Sequence, residues 1–134
     1  MAAKIFLYLS LVYTISITIL SLVRLKKISV GAFNPTDKML HLGAYFVLAS
    51  CWFLYLLFSK PDNYRFKTGF IKVSLLVIAF GMLIEVLQGA LTTYREPDWA
   101  DGLANSLGVL IALGLFILFL NSLKNVKHRI NSFL

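Results

Sequence analysis

Four long apolar runs dominate the pattern of hydrophobic and polar positions along this chain. They cover about residues 5–23, 39–58, 70–91 and 103–120. Each run is close to the roughly 20 residues that an α-helix needs to cross the hydrocarbon core of a bilayer. Polar connectors separate the runs, and the helix-stopping pairs Asn34-Pro35 and Lys60-Pro61 lie in two of them. The pattern predicts an all-α membrane protein, a bundle of four transmembrane helices with short connecting loops, as one domain over residues 1–134.

The two ends of the chain add detail to this prediction. The first run, about 19 residues long, exceeds the apolar segment of a signal peptide and has no small-residue cleavage site after it, which favours a retained helix. Residues 122–134 carry Leu123, Val126, Ile130 and Phe133 at helical spacing, with cations between them. That spacing predicts an amphipathic tail with an interfacial turn lying on the cytoplasmic leaflet.

The composition agrees with a lipid environment. Of the 134 residues, 59% are hydrophobic and only 14% are charged, against about a quarter charged in soluble domains. The net charge of +7 does not indicate a nucleic-acid partner, because the basic residues lie in short connectors where they set topology and meet anionic headgroups. The single cysteine, Cys51, lies inside an apolar run and is expected to pack as a small hydrophobic side chain.

The charged residues are divided unevenly between the two sides of such a bundle. With four spans, the termini and the middle connector share one side, which has eight Lys and Arg residues against five on the other side. The positive-inside rule therefore predicts that both termini are cytoplasmic. Five of the six acidic residues fall on the outer side. We expect the functional site on that side.

Polar side chains gather at the outer ends of the second, third and fourth runs. The candidate ligand-binding residues are Asp37, Lys38, His41, Tyr45, Glu85, Gln88, Arg95, Asp98, Asp101 and Asn105. Spacing places Asp37, His41 and Tyr45 on one helix face, and it places Asp101 and Asn105 together on another. Because Glu85 lies six residues before the end of the third run, about 9 Å below the interface, it must face partners rather than lipid. We therefore predict that the three runs converge into one polar pocket.

The order of these residues resembles that of the VanZ-like family of bacterial membrane proteins. The matching motifs are Asp-Lys-x-x-His-x-x-x-Tyr, Glu-x-x-Gln and Arg-x-x-Asp-x-x-Asp-x-x-x-Asn-x-x-Gly, over residues 37–108. The resemblance implies an integral protein of the bacterial inner membrane and cell envelope. It also implies an association with antibiotic resistance, namely reduced sensitivity to the glycopeptide teicoplanin. It implies no settled biochemical activity.

Several interpretations of the polar set remain open at this level. The first is a pocket for an anionic envelope lipid or lipid-linked precursor, whose head would bind Lys38 and Arg95. The second is a membrane-embedded enzyme acting on a lipid headgroup, with His41, Glu85 and Asp98 as acid–base candidates. The third is a polar cluster that only locks helix packing. The acids and His41 lack a recurring metal-ligand spacing, so neither a metal nor another cofactor is predicted.

Cysteine labelling tests the predicted orientation. In a Cys51→Ser background, Asn34→Cys and Trp99→Cys are each expected to react with a membrane-impermeant maleimide in intact spheroplasts, because both positions lie on the predicted outer side. Labelling of both variants only after the membrane is opened would contradict the prediction.

Overall fold

The structure of the chain, a computed structural model, describes residues 1–22, 37–91 and 98–133. These ranges contain no strand and hold five helices: α1 (Ala2–Leu22), α2 (Asp37–Ser59), α3 (Phe66–Leu91), α4 (Trp99–Leu118) and α5 (Leu120–Phe133). The first four are long and apolar enough to cross a membrane. The predicted all-α bundle of four transmembrane helices is confirmed.

All four membrane-spanning helices begin before the apolar runs that predict them, and α1 begins at Ala2 rather than at about residue 5. α2 begins at Asp37, α3 at Phe66 and α4 at Trp99, because the polar first turns are helical but add nothing to the hydrophobic pattern. The start of α4 is capped by Asp98, whose Oδ1 accepts a hydrogen bond from the Ala100 backbone N–H at 2.9 Å. The cap places Asp101 in the first turn of α4 and so fixes the direction of its side chain.

The four membrane-spanning helices α1 to α4 alternate in direction, so α2 and α4 run parallel to each other. Lys38, near the start of α2, contacts Asp101 at the start of α4, and Gln88 near the end of α3 contacts Ser21 near the end of α1. We call this end of the bundle the polar end. The opposite end, which holds residues 60–65 between α2 and α3, is called the loop end.

α2 and α4 form the most extensive helix pair in the described part of the chain. Gly108 of α4 lies directly against the backbone of α2: a Cβ at this position would clash with the carbonyl oxygen of Leu42 and lie 3.0 Å from the nitrogen of Phe46. Ala112, one turn further on, is completely buried. Small residues permit such close approach in lipid, where packing takes over from the hydrophobic effect in holding helices together. The contact draws the starts of α2 and α4 together.

Aromatic side chains fill the bundle toward the loop end. Ring centroids of Phe53 in α2, Phe70 in α3 and Phe116 in α4 lie 5.0–5.6 Å apart. Phe53 and Phe70 are completely buried, and Phe66 adds a further ring beside Phe70. The interior of the bundle is therefore apolar toward the loop end and hydrogen-bonded toward the polar end.

α1 lies at the edge of the bundle and buries only Ala2, Ser10 and Ile17. Two side chains from neighbouring helices donate hydrogen bonds to it: Trp52 Nε1 to Thr14 Oγ1 at 3.2 Å, and Gln88 Nε2 to the Ser21 carbonyl at 2.8 Å. The second bond satisfies one of the carbonyls that the last turn of a helix leaves without an intrahelical partner.

α5 packs against the connection between α2 and α3. The buried Lys127 donates through Nζ to Asp62 Oδ1 at 2.7 Å and to the Lys60 carbonyl at 2.8 Å. Lys124 donates to the Asp62 carbonyl, and His128 Nε2 lies 3.0 Å from Asp62 Oδ2. The hydrogen bond from Lys127 holds the pKa of the Asp62 carboxyl below its usual range. The two lysines, expected to meet headgroups, bind a loop of the protein, and contact of α5 with a leaflet stays a prediction.

Two glycines of α4 provide a matched test of the α2–α4 contact. Gly108→Ala is expected to lower the free energy of unfolding in detergent by about 1–3 kcal/mol, because backbone atoms of α2 leave no room for a methyl group. Gly114→Ala is the control, since nothing lies within 4 Å of its added Cβ and alanine is the better helix former. Equal loss of stability in both variants would contradict the close approach at Gly108.

The contact between Asp62 and α5 has a predictable pH dependence. Because the pKa of Asp62 is lowered in the folded state, the contact contributes stability above the usual carboxyl range and loses it as the pH falls through that range and below. At neutral pH, Asp62→Asn is expected to speed amide hydrogen exchange in α5 about tenfold, because Lys127 loses its charged acceptor. Asn63→Ala, on the neighbouring exposed residue, is the control. Unchanged exchange in Asp62→Asn at neutral pH would refute this account.

Candidate functional site

Lys38 joins the polar starts of α2 and α4. Its Nζ lies 2.8 Å from Asp98 Oδ2 and 3.1 Å from Asp101 Oδ1. The Lys38 and Asp98 side chains are about half exposed, whereas only 10% of the Asp101 side chain is exposed. The hydrogen bonds from Lys38 and from the Ala100 backbone N–H hold the pKa of the Asp98 carboxyl below its usual range. We call Asp37, Lys38 and Asp98, which are all at the exposed edge, the rim of the site.

Below the rim, three helices each contribute one side chain to a buried hydrogen-bonded chain. Asn105 of α4 donates through Nδ2 to Glu85 Oε1 of α3 at 3.3 Å. His41 of α2 places Nδ1 3.1 Å from Asn105 Oδ1 and 3.6 Å from Glu85 Oε1. Glu85 is 7% exposed and Asn105 is 1% exposed. We call His41, Glu85 and Asn105 the floor of the site. The carboxylate of Glu85, which is the deepest in the site, faces α2 and α4.

A glycine of α4, Gly102, lies close to the face of α3 that carries Glu85. A Cβ at Gly102 would lie 3.2 Å from the Met82 sulfur and 3.9 Å from Glu85 Cγ, so α4 passes close to the face of α3 that carries the carboxylate. An added methyl group at this position would require the Met82 side chain to shift by a small distance. The first turn of α4 therefore supplies Asp101 to the site and packs closely against the helix that carries Glu85.

Tyr45 lies one helical turn deeper than His41 and is 1% exposed. Its ring packs over Gly81 of α3, where an added Cβ would lie 2.8 Å from Tyr45 Cε1. Among the buried side-chain polar atoms of the described residues, the Tyr45 hydroxyl is the one without a hydrogen-bond partner. An unpaired buried hydroxyl costs about 1–3 kcal/mol. Tyr45 therefore keeps a donor at the base of the site that helix packing does not explain.

The structure brings together most, but not all, of the residues that the sequence selects. Asp37, Lys38, His41, Tyr45, Glu85, Asp98, Asp101 and Asn105 lie at the polar end of α2, α3 and α4. Gln88 donates a hydrogen bond to the Ser21 carbonyl of α1, and helix packing is enough to explain this contact. Arg95 lies outside the described residues, as does Asn34.

The described part of the site is acidic. Its ionisable residues are four carboxylates, one lysine and one histidine: Asp37, Lys38, His41, Glu85, Asp98 and Asp101. One ligand atom from each of Asp37, His41 and Asp101 lies within 4.8 Å of the other two. The sequence contains a signal for this trio, an Asp-x-x-x-His pair on one face of α2, but the facing Asp101 depends on how α4 packs. These three side chains could together hold a cation.

The acid–base candidates separate into two places. His41 lies 3.6 Å from Glu85 through Nδ1 and 3.6 Å from Asp101 through Nε2. Asp98 is held at the rim by Lys38 and by the Ala100 N–H. Each ring nitrogen of His41 therefore has one carboxylate nearby, Glu85 at Nδ1 and Asp101 at Nε2, at distances longer than a hydrogen bond.

Comparison with known proteins places this architecture in a family. The family model described as VanZ/LLP1 matches residues 3–120, from α1 to the first residue of α5. The match includes every residue of the rim and the floor. No curated protein and no solved structure matches the chain. With most of its length matched and four helices able to cross a membrane, the chain is a multi-pass membrane protein that belongs to the VanZ/LLP1 family.

Proposed function

We propose that this protein binds the polar head of an anionic envelope lipid or lipid-linked precursor at the polar end of its bundle. One observation carries the proposal: a half-exposed charged rim stands directly above a buried polar floor, and the two are built by three different helices. Ionisable groups inside a membrane bundle are costly and mark functional sites by default. The arrangement suits a ligand that enters from the headgroup region.

Lys38 is the described cation that an anionic head would meet first. One of its two carboxylate partners, Asp98, lies at the exposed edge, where ion pairs contribute little to stability because water competes for both charges. Exchange of Asp98 for a phosphate or carboxylate oxygen of a ligand is therefore inexpensive. Arg95, the second cation expected from the sequence to bind the head, would favour bidentate contact with the same kind of group.

The proposal includes an orientation and a setting. With both termini in the cytoplasm of a bacterium, the polar end of the bundle faces the outer leaflet of the inner membrane, where envelope lipids present their heads. The family resemblance adds the association with teicoplanin sensitivity, which we propose for this protein as a consequence of binding an envelope lipid.

A purely structural function has support from one specific observation. Lys38 already has two carboxylate partners, and the residues of the floor are hydrogen-bonded to one another. A cluster that only fixes helix packing would show the same contacts. The two functions lead to different outcomes when Lys38 loses its charge while the floor stays intact.

Lipid retention separates the two functions. Native mass spectrometry of the detergent-purified protein is expected to show bound anionic phospholipid, and Lys38→Gln is expected to reduce the bound fraction about tenfold because a charge-assisted hydrogen bond to the head is lost. In a strain that lacks the protein, teicoplanin sensitivity after complementation with Lys38→Gln is expected to match that of the empty vector.

Lys67→Gln is the matched control, because it removes the same charge from an exposed position near the loop end. It is expected to keep both the bound lipid and the complementation. Thermal unfolding checks that Lys38→Gln is folded, which the exposure of the Lys38 side chain favours. Full lipid retention and full complementation by a folded Lys38→Gln variant would defeat the proposed pocket in favour of the structural function.

A further inference from the structure

We propose that Asp37, His41 and Asp101 form a binding site for a divalent first-row transition ion, with Zn²⁺ as the representative ion. Asp37 and His41 are four residues apart, so both side chains lie on the face of α2 that meets the first turn of α4. Asp101 faces them from that turn. One ligand atom from each of the three lies within 4.8 Å of the others. The site is defined by these residues alone and does not depend on the proposed lipid ligand.

The floor determines which nitrogen of His41 faces this site. Glu85, when ionised, can only accept hydrogen bonds, so the Asn105 amide must turn its Nδ2 toward Glu85 Oε1 at 3.3 Å. Its Oδ1 then faces His41 Nδ1 at 3.1 Å and accepts a hydrogen bond from it. The proton of a neutral His41 is thereby held on Nδ1. The lone pair on Nε2 is left to face α4.

Nε2 of His41 lies 3.6 Å from Asp101 Oδ2. A lone pair and a carboxylate oxygen repel each other unless a positive species lies between them. Two ligand atoms about 2.1 Å from a tetrahedral metal ion lie about 3.4 Å apart, so the observed separation suits a shared ion. An imidazole that coordinates through one nitrogen and donates the other N–H to a carbonyl is the usual arrangement around protein-bound metals. Asn105 is the positioning residue of that arrangement.

Lys38 leaves one oxygen of Asp101 available for an ion. Its Nζ contacts Oδ1 of Asp101 at 3.1 Å, while Oδ2 is the oxygen that faces His41. The nearby ammonium group of Lys38 lowers the affinity of the site for a cation. The four carboxylates at the polar end raise that affinity. The side chains of His41 and Asp101 are 11% and 10% exposed, whereas Asp37 is exposed. Three protein ligands with one open side would leave a coordination position for an outside oxygen.

The donor set points to a class of ion. One imidazole nitrogen with two carboxylate oxygens suits zinc, manganese or iron(II), whereas magnesium and calcium prefer oxygen ligands only. We therefore expect Zn²⁺ and Mn²⁺ to bind and Mg²⁺ to compete poorly. This selectivity distinguishes a defined site from the general attraction of cations to acidic surfaces.

Calorimetric titration with the metal alone tests this proposal. The tag-free full-length protein, stripped with chelator in detergent, is expected to bind one Zn²⁺ per chain with Kd below about 10 μM. His41→Gln and Asp37→Asn are each expected to weaken binding about hundredfold, since each removes one of three ligands. Lys38→Gln is expected to strengthen it severalfold, because a competing cation is removed. Zn²⁺ should also raise the thermal midpoint of the wild-type protein.

His128→Gln is the matched control, because His128 is the other histidine of the chain and lies at the loop end. It is expected to leave binding unchanged. Less than one ion per wild-type chain, unchanged binding by a folded His41→Gln or Asp37→Asn variant, or loss of binding in His128→Gln would each overturn the proposal. If His41→Gln does not fold, the Asp37→Asn variant provides the test of the site. Asp37 is the exposed first residue of α2, so its substitution is expected to leave the fold intact. A negative result in the metal titration does not change the expected lipid retention. The metal proposal and the lipid proposal can therefore be refuted independently.

Discussion

A carboxylate placed inside a membrane bundle must find its partners within the protein, and Glu85 imposes this requirement on the whole polar end. Its partner Asn105 belongs to α4, and its neighbour His41 belongs to α2. Both can be reached only if α2, α3 and α4 approach closely at one level. Gly108 permits the approach of α4 to α2, and Gly102 permits that of α4 to α3. The burial of Glu85 thus depends on the same close packing of α2, α3 and α4 that Gly102 and Gly108 permit.

The charges at the polar end are arranged in two layers with different physical roles. At the rim, Lys38 and Asp98 are half exposed, so water screens their ion pair and either partner can be exchanged for a ligand. In the floor, Glu85 and Asn105 are buried, so their hydrogen bond has no solvent competitor. Asp101 connects the rim to the floor, because one of its oxygens faces Lys38 and the other faces His41. A change at the rim can therefore reach the floor through a single carboxylate.

The sequence predicts the fold and the membership of the site better than it predicts the contacts. Hydrophobic runs locate four helices, since a bilayer demands about 20 apolar residues, and helical spacing places His41 and Asp101 on inward faces. Spacing does not tell which oxygen a lysine will reach, so the pairing of Lys38 with Asp98 and Asp101 comes from the structure alone. Gln88 shares a helical face with Glu85, yet its amide reaches α1, a helix whose position no motif fixes.

At the loop end, too, the sequence does not predict which side chains come into contact. Charge counting treats Lys127 as one of several cations available to headgroups, but the structure buries it against Asp62. Two features of the sequence point to this contact. Asp62 is the lone acid on that side, and one face of the amphipathic tail carries Lys124, Lys127 and His128. Composition alone gives no weight to a single acid among many cations. A buried lysine needs a specific partner, and the helix that carries it docks where that partner lies.

Helix packing and chemistry at the polar end are not competing explanations, because one hydrogen-bonded chain serves both. Glu85 requires a donor, and the Asn105 amide meets that requirement by presenting its nitrogen. The oxygen of the same amide is then turned to His41 Nδ1 at 3.1 Å, and His41 Nε2 lies 3.6 Å from Asp101 Oδ2. The orientation of the imidazole toward the accessible side of the site thus follows from satisfying a buried carboxylate. A substitution that restored packing without the amide, such as Asn105→Leu, would remove the groups that connect these two functions.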